Sequence, residues 1–243
     1  MSNFIQEEVS VSYVEIDVAD GQKMKAFYLP AETAEPSQAP GIVLVQEIFG
    51  INEAMQTKAK DWAKQGYNVL CPDLFWRQEP GVVLDPRIAE QFQKGVDFMQ
   101  NMQQEETLAD LEASRAHLAG LIGHERISAV GYCMGGRLVV QMAGEAKIKC
   151  AVSFYGVALE SVMPELPANA SPSFLHIAEL DSYVPADVRE VIVKGVEARD
   201  GWAHELYENC DHAFARPNGE HFVAEAAARA EKLSLAFMKK HLA

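Results

Sequence analysis

No run of apolar residues in this chain approaches the roughly 18 that a membrane helix needs. The amino terminus, Met-Ser-Asn-Phe-Ile-Gln-Glu-Glu, has neither the basic nor the apolar region of a secretory signal, so a cytoplasmic protein with no membrane partner is expected. Cysteine is scarce. Cys71, Cys133, Cys150 and Cys210 are dispersed and form no Cys-x-x-Cys pair, which speaks against a zinc site or a disulfide framework and fits a reducing compartment. His-x-x-x-His pairs, Cys-His clusters and a Gly-rich dinucleotide fingerprint are missing as well, so neither a metal nor a cofactor is expected. Cationic residues are few, 21 Lys and Arg against 35 Asp and Glu. The net charge of −14 opposes nucleic acid and anionic membranes, and also anionic small molecules unless local arginines overcome the field.

What is present is an ordinary globule: 243 residues, 49% hydrophobic and 23% charged, enough for one α/β domain spanning residues 1–243 that buries about three quarters of its unfolded surface, with a monomer as the default. Residues 8–14 and 23–29 alternate in the strand period around Asp20-Gly21 and predict an opening hairpin. Residues 32–40 read as a loop. The continuous apolar run 41–45 is the signature of a strand buried on both faces of a parallel sheet, followed by Asn52 as a helix cap and a helix over 53–64. Further strands are expected at 67–71, 127–130, 148–155, 173–178 and 202–207, an irregular stretch at 74–85, and helices at 86–102, 105–121, up to 144, 186–198 and 220–241. This alternation predicts a doubly wound, mostly parallel sheet with helices on both faces.

The chain is organised around Ile127-Ser-Ala-Val-Gly-Tyr-Cys-Met-Gly-Gly136, which reads as strand, sharp turn, helix. Cys133 sits at the apex, with Gly131 and Gly135 relieving clashes and Gly136 letting the helix pack close behind. This is the nucleophile elbow of an α/β hydrolase with cysteine in place of serine, and the Met134 amide would face a developing oxyanion. The bland alternative is a buried structural cysteine beside a glycine turn.

Reactive groups in such sheets collect at the carboxyl ends of strands, where Cys133, Asp181 and His212 follow one another in the hydrolase order. Cysteine would act as a thiolate nucleophile, histidine as base and then acid, and aspartate as the group that fixes the imidazole tautomer. Glu179 and Asp187 are rivals of Asp181. Among the histidines, His176 and His204 fall within strands, His117, His124 and His241 on or beside helices, and His221 at the start of the last helix.

Gln46-Glu-Ile-Phe-Gly50, Cys71-Pro-Asp-Leu-Phe-Trp-Arg-Gln-Glu-Pro-Gly81, Gly131-Tyr-Cys-Met-Gly-Gly136, Tyr155-Gly-Val157 and Asp211-His-Ala-Phe-Ala-Arg216, in matching order and spacing, resemble the dienelactone hydrolase (carboxymethylenebutenolidase) family. The resemblance implies a cofactor-free α/β hydrolase in which Cys133, Asp181 and His212 open a carboxylate-bearing enol-lactone to maleylacetate, in chlorocatechol degradation. It further implies that Glu47 holds the resting thiol protonated or accepts its proton, that the amides of Ile48 and Met134 form the oxyanion hole, that Arg77 and Arg216 grip the substrate carboxylate, and that Tyr155 lines the pocket. Substrate binding to arginine would free Glu47 to activate Cys133. Without the resemblance, Arg77 reads as a solvated loop charge, Arg216 as a surface ion pair, and Glu47 as a cap or salt-bridge partner. Trp76 stands where a smaller residue is expected, which bears on pocket size and ring-substituent preference. Two alternatives differ in substrate or class: a family esterase or lactonase with another substrate, and a catalytically silent binding or sensor protein on the same fold.

Overall fold

The five residues Gly41–Val45 carry no polar side chain, and in the computed structural model of the protein they form a strand, β3, buried at every position. Residues 12–145 and 147–243 are described. The other strands are β1 (Ser12–Asp17), β2 (Lys23–Leu29), β4 (Asn68–Pro72), β5 (Ile127–Tyr132), β6 (Ala151–Phe154), β7 (Ser173–Ala178) and β8 (Ala203–Tyr207), in the spatial order β1-β2-β4-β3-β5-β6-β7-β8. β1 pairs with β2 and β2 with β4 antiparallel, and every other pairing is parallel. All residues of β3, β4, β5, β6 and β7 are buried, as they must be when helices cover both faces of a sheet. The helices are α1 (Glu53–Lys64), α2 (Ala89–Gln100), α3 (Gln104–Ile122), α4 (Met134–Gly144), the short α5 (Leu159–Val162), α6 (Ala186–Glu197) and α7 (Ala224–His241).

The chain passes from β3 to β4 on one side and then crosses to β5 on the other, so the winding reverses at β3 and β5. Ligand crevices open at such reversals, beyond the carboxyl ends of the strands. Val45 is registered with Gly131 and Tyr132 with Phe154, which brings the segment after β3, carrying Glu47, next to the segment after β5, carrying Cys133.

The expected elements are present with shifted ends. The hairpin is formed by β1 and β2, and residues 8–11 of the expected first strand lie outside the described residues. The helix expected from residue 86 begins at Ala89, because Asp85 turns the chain first: its Oδ1 accepts the Arg87 amide and its own amide donates to Gln91 Oε1. The last helix begins at Ala224 rather than 220, so His221 precedes it, and β6 ends at Phe154 because Tyr155 takes a positive φ of 39°. α5 has no counterpart among the expected elements.

His176 packs inside the sheet as a strand residue should, and its hydrogen bonds fix its tautomer. Ser234 donates its hydroxyl to the Ala230 carbonyl (2.7 Å), so it accepts from His176 Nε2 (2.8 Å), leaving Nδ1 bare to accept from the Tyr207 hydroxyl (2.9 Å). Burial holds its pKa down at about 3. A folded-state pKa below the unfolded value of about 6.5 means that this stability is complete above pH 6.5 and is lost as pH falls from there toward 3. Between pH 6.5 and 5 wild type should therefore lose about 2 kcal/mol more than His176→Gln in urea denaturation, at roughly 1.4 kcal/mol per pH unit. Identical pH slopes for the two proteins would show that His176 is not the titrating group.

Candidate active site

Cys133 lies between β5 and α4 with φ 56° and ψ −118°, a conformation that costs a non-glycine residue of order 1–3 kcal/mol and persists only where the surroundings impose it. They do so here. A Cβ on Gly131 would stand 2.1 Å from the Gly135 carbonyl oxygen, and one on Gly135 would stand 2.3 Å from that of Val45, so only glycine permits α4 to start this close to the sheet. The Cys133 amide donates to the Phe154 carbonyl at 3.0 Å, anchoring the apex to β6.

Asp181 and His212 meet behind this apex. Asp181 is 3% exposed; its Oδ1 accepts the Tyr183 amide (2.9 Å) and its Oδ2 faces His212 Nδ1 at 2.7 Å. A carboxylate only accepts, so Nδ1 carries the proton and Nε2 is left to work with Cys133. Burial alone would lower the imidazole's proton affinity, but the charge that the Cys133 sulfur carries once ionised, with the hydrogen bonds to Asp181 and to that sulfur, outweighs it and raises the pKa above the usual histidine range. The His212 ring is held edge-on by Tyr155 (centroids 5.1 Å apart) and Tyr183 (4.9 Å). The His221 ring touches the His212 carbonyl through Nδ1 (3.1 Å). The rivals of Asp181 are placed elsewhere: Glu179 accepts the Asn209 amide, and Asp187 is exposed in the first turn of α6.

Beside these three lies a buried ion pair. Arg216 donates from Nε to Glu47 Oε2 (2.7 Å) and from Nη2 to Oε1 (3.1 Å), with side-chain exposures of 15% and 2%. Glu47 is thus a salt-bridge partner, and Arg216 an ion-pair member, but in the interior rather than on the surface. The Phe49 ring lies 5.2 Å from the guanidinium carbon. Tyr155 is the shared wall: it packs against His212 and, with Glu47 and Arg216, lines a cavity of about 10 Å³, room for about one water. Its hydroxyl is pushed strongly toward the protonated form, first by burial and then by Glu47.

The segment after β3 is held rigidly. Gln46 accepts the Leu74 amide and donates to the Glu47 carbonyl, and Phe49 accepts the Leu84 amide. Gly95 of α2 packs so tightly on the Ile48 carbonyl that a Cβ would come within 2.5 Å. Among the described residues, none takes up the amide of Ile48 or of Met134, at the start of α4, so both remain available as hydrogen-bond donors.

Arg77 is placed differently from Arg216. It forms a two-point pair with Asp110 of α3 (Nη2 to Oδ1 2.8 Å, Nε to Oδ2 3.0 Å), lies 3.8 Å from Glu106, and covers the Trp76 ring at 4.4 Å. Trp76 donates its indole N–H to the same carboxylate at 2.8 Å. Asp110, 3% exposed, thus fastens both residues, a role no local pattern announced. Tyr183 was likewise unmarked in the sequence. A cleft of about 480 Å³ beyond α1 has Arg216 in its wall but not Cys133, Asp181 or His212. No three His, Cys, Asp or Glu side chains converge as a metal site among the described residues, and no helix there is long and apolar enough to cross a membrane.

The sequence pattern of the dienelactone hydrolase family matches residues 27–242. A carboxymethylenebutenolidase from Pseudomonas putida is 35% identical over 211 residues, covering 86% of this chain and 89% of that protein. Another, from Pseudomonas sp. (strain P51), is 32% identical over 228 residues, covering 93% of each. The crystal structure of a Klebsiella pneumoniae subsp. pneumoniae protein described as a candidate dienelactone hydrolase superposes with a TM-score of 0.78 at 24% identity, over 95% of this chain and 99% of that one, a likeness of fold. With the match spanning most of its length and relatives this similar, the chain belongs to the dienelactone hydrolase family and is a hydrolase.

Proposed function

We propose that the protein is a cysteine hydrolase, acting as one domain over residues 1–243 and as a cytoplasmic monomer, that opens a carboxylate-bearing enol-lactone, dienelactone to maleylacetate, in the degradation of chlorocatechols. The observation that carries this reading is the buried Glu47–Arg216 pair beside Cys133 and His212, with Tyr155 packed between them. An arginine already desolvated on a carboxylate can exchange that partner for a substrate carboxylate with little further cost in hydration.

In this mechanism the substrate carboxylate takes Arg216, and Glu47, released, accepts the Cys133 proton. The thiolate attacks the lactone carbonyl, and the amides of Ile48 and Met134 hold the oxyanion. The ring C–O bond breaks with its electron pair going to oxygen, and the enolate formed takes the proton held by Glu47. His212 Nε2 then removes a proton from water, whose hydroxyl attacks the thioester. The C–S bond breaks, and the imidazolium returns its proton to sulfur. Lactone and water become the ring-opened acid.

Assays on cis- and trans-dienelactone beside a neutral aryl ester test the substrate. Turnover of the ester alone would favour a family esterase, a reading supported by the engagement of Arg77 with Asp110; turnover of neither would leave a binding protein. Iodoacetamide tests the nucleophile. Burial pushes the Cys150 thiol up to about 12 and raises those of Cys71 and Cys210 as well, so one labelled peptide, containing Cys133, should track inactivation. Inactivation with Cys133 unlabelled would remove it from this role.

A further inference from the structure

We propose that Lys58, on α1, is a second counter-ion to Glu47 and sets how readily Glu47 takes up a proton. The small cavity beside the Glu47–Arg216 pair is also lined by Lys58, Tyr132 and Tyr155, and Glu47 is one of three carboxylates whose charge acts on the Lys58 ammonium. Its Nζ stands 5.8 Å from the centre of the Tyr132 ring, and it has neither a hydrogen-bond acceptor nor an ion-pair partner among the described residues.

A lysine of this kind has two possible uses, and the surroundings distinguish them. On its other side lies a second small cavity with Asp61 of α1 and Glu231 of α7. Both of those carboxylates have partners of their own: Lys64 stands 3.8 Å from Asp61, and Gln65 donates to Glu231 at 3.1 Å. Glu47 is the most deeply buried acid facing the ammonium, and an uncompensated charge matters most where water is excluded. Burial lowers the Lys58 pKa, while Asp61, Glu231 and Glu47 act in the opposite direction and favour the ammonium.

The consequence appears when Arg216 turns to the substrate. Glu47 would then be a buried carboxylate without its bidentate partner, and without any other cation it would take up a proton from solvent more readily and relieve Cys133 of its proton less often. Lys58 prevents this. It keeps Glu47 ionised while leaving its oxygens unbonded, so the group remains a proton acceptor. Lys58 touches neither substrate nor sulfur in this scheme and is a positioning residue.

This inference rests on Glu47 as proton acceptor, and the experiment separates the two. The pH dependence of kcat/KM on an anionic lactone is measured for wild type, Lys58→Met, Lys58→Arg, Glu47→Gln and Lys58→Met/Glu47→Gln, with Lys58→Gln replacing the Met variant should that not fold. Lys58→Met should move the acid limb up by about half to one pH unit, so that below the limb its rate, relative to its own plateau, falls about three- to tenfold. Lys58→Arg should restore the limb, and the shift should vanish in the Glu47→Gln background. An impaired Glu47→Gln together with an unmoved limb in Lys58→Met, or a Lys58→Met loss equal at every pH, overturns the role of Lys58 alone and leaves it as packing between α1 and α7. Wild-type rates in Glu47→Gln overturn the proton-acceptor reading and this inference with it.

Discussion

His212→Gln is expected to lower kcat on a neutral aryl ester by roughly 10⁴- to 10⁶-fold, the range of losses when one member of a nucleophile–base–acid set is removed while the oxyanion donors remain. Glutamine fills much of the same space and can still meet Asp181, but it cannot exchange protons near neutral pH. In the proposed scheme the imidazole both activates water and reprotonates sulfur, so no step after acylation is spared. The Asp181 carboxylate also keeps the Tyr183 amide in the variant, and near-UV circular dichroism should establish that the fold is kept. A folded variant with less than a tenfold loss would remove His212 from the chemistry. Glu47→Gln on the same ester should lose far less, because Glu47 acts in the step triggered by an anion, whereas both variants should be severely impaired on the lactone. Equal losses for the two variants on both substrates would refute the trigger.

The sheet was legible because its signals are local. Gly41–Val45 could be read as a buried strand from five consecutive apolar residues, and Asn52 caps α1 as its residue type suggests, accepting the Met55 amide. The turn at Cys133 was equally legible, since Gly131 and Gly135 leave the backbone room that no other residue would. Asp181 and His212 could be named from strand ends and chain order, and their side chains stand 2.7 Å apart. What could not be read are partnerships made across the fold. Asp110 sits in the middle of a helix whose apolar pattern says nothing of Trp76 and Arg77, 34 and 33 residues away. Lys58 has the sequence context of any exposed helical lysine, and its partial burial arises where α1 faces α7. The resemblance pointed to Arg77 and Arg216 as equivalent grips, yet one is fastened to α3 and the other to Glu47, a distinction created by tertiary packing.

That distinction shapes the prediction for Arg216→Gln. A hydrogen bond to a charged group contributes about 1.5–3 kcal/mol, so kcat/KM for a carboxylate-bearing lactone should fall by roughly ten- to hundredfold. The substitution also strands Glu47, 1% exposed, and breaking a buried pair costs about 3–5 kcal/mol of stability. A fall in rate alone is therefore ambiguous, because lost stability would lower the rate on every substrate, and a Glu47 without its arginine would lower the lactone rate on its own account. Arg216→Gln/Glu47→Gln resolves this by removing the buried charge together with its partner. Stability should largely return in the double variant, while the ratio of kcat/KM for the lactone to that for a neutral ester should fall ten- to hundredfold from wild type to Arg216→Gln and should fall again from Glu47→Gln to the double variant. Should Arg216→Gln leave that ratio unchanged in both backgrounds, Arg216 is a counter-ion and nothing more. Carboxylate recognition would then have to be sought at Arg77, which could serve it only by giving up Asp110 or by binding the anion through the donors that Asp110 leaves unused.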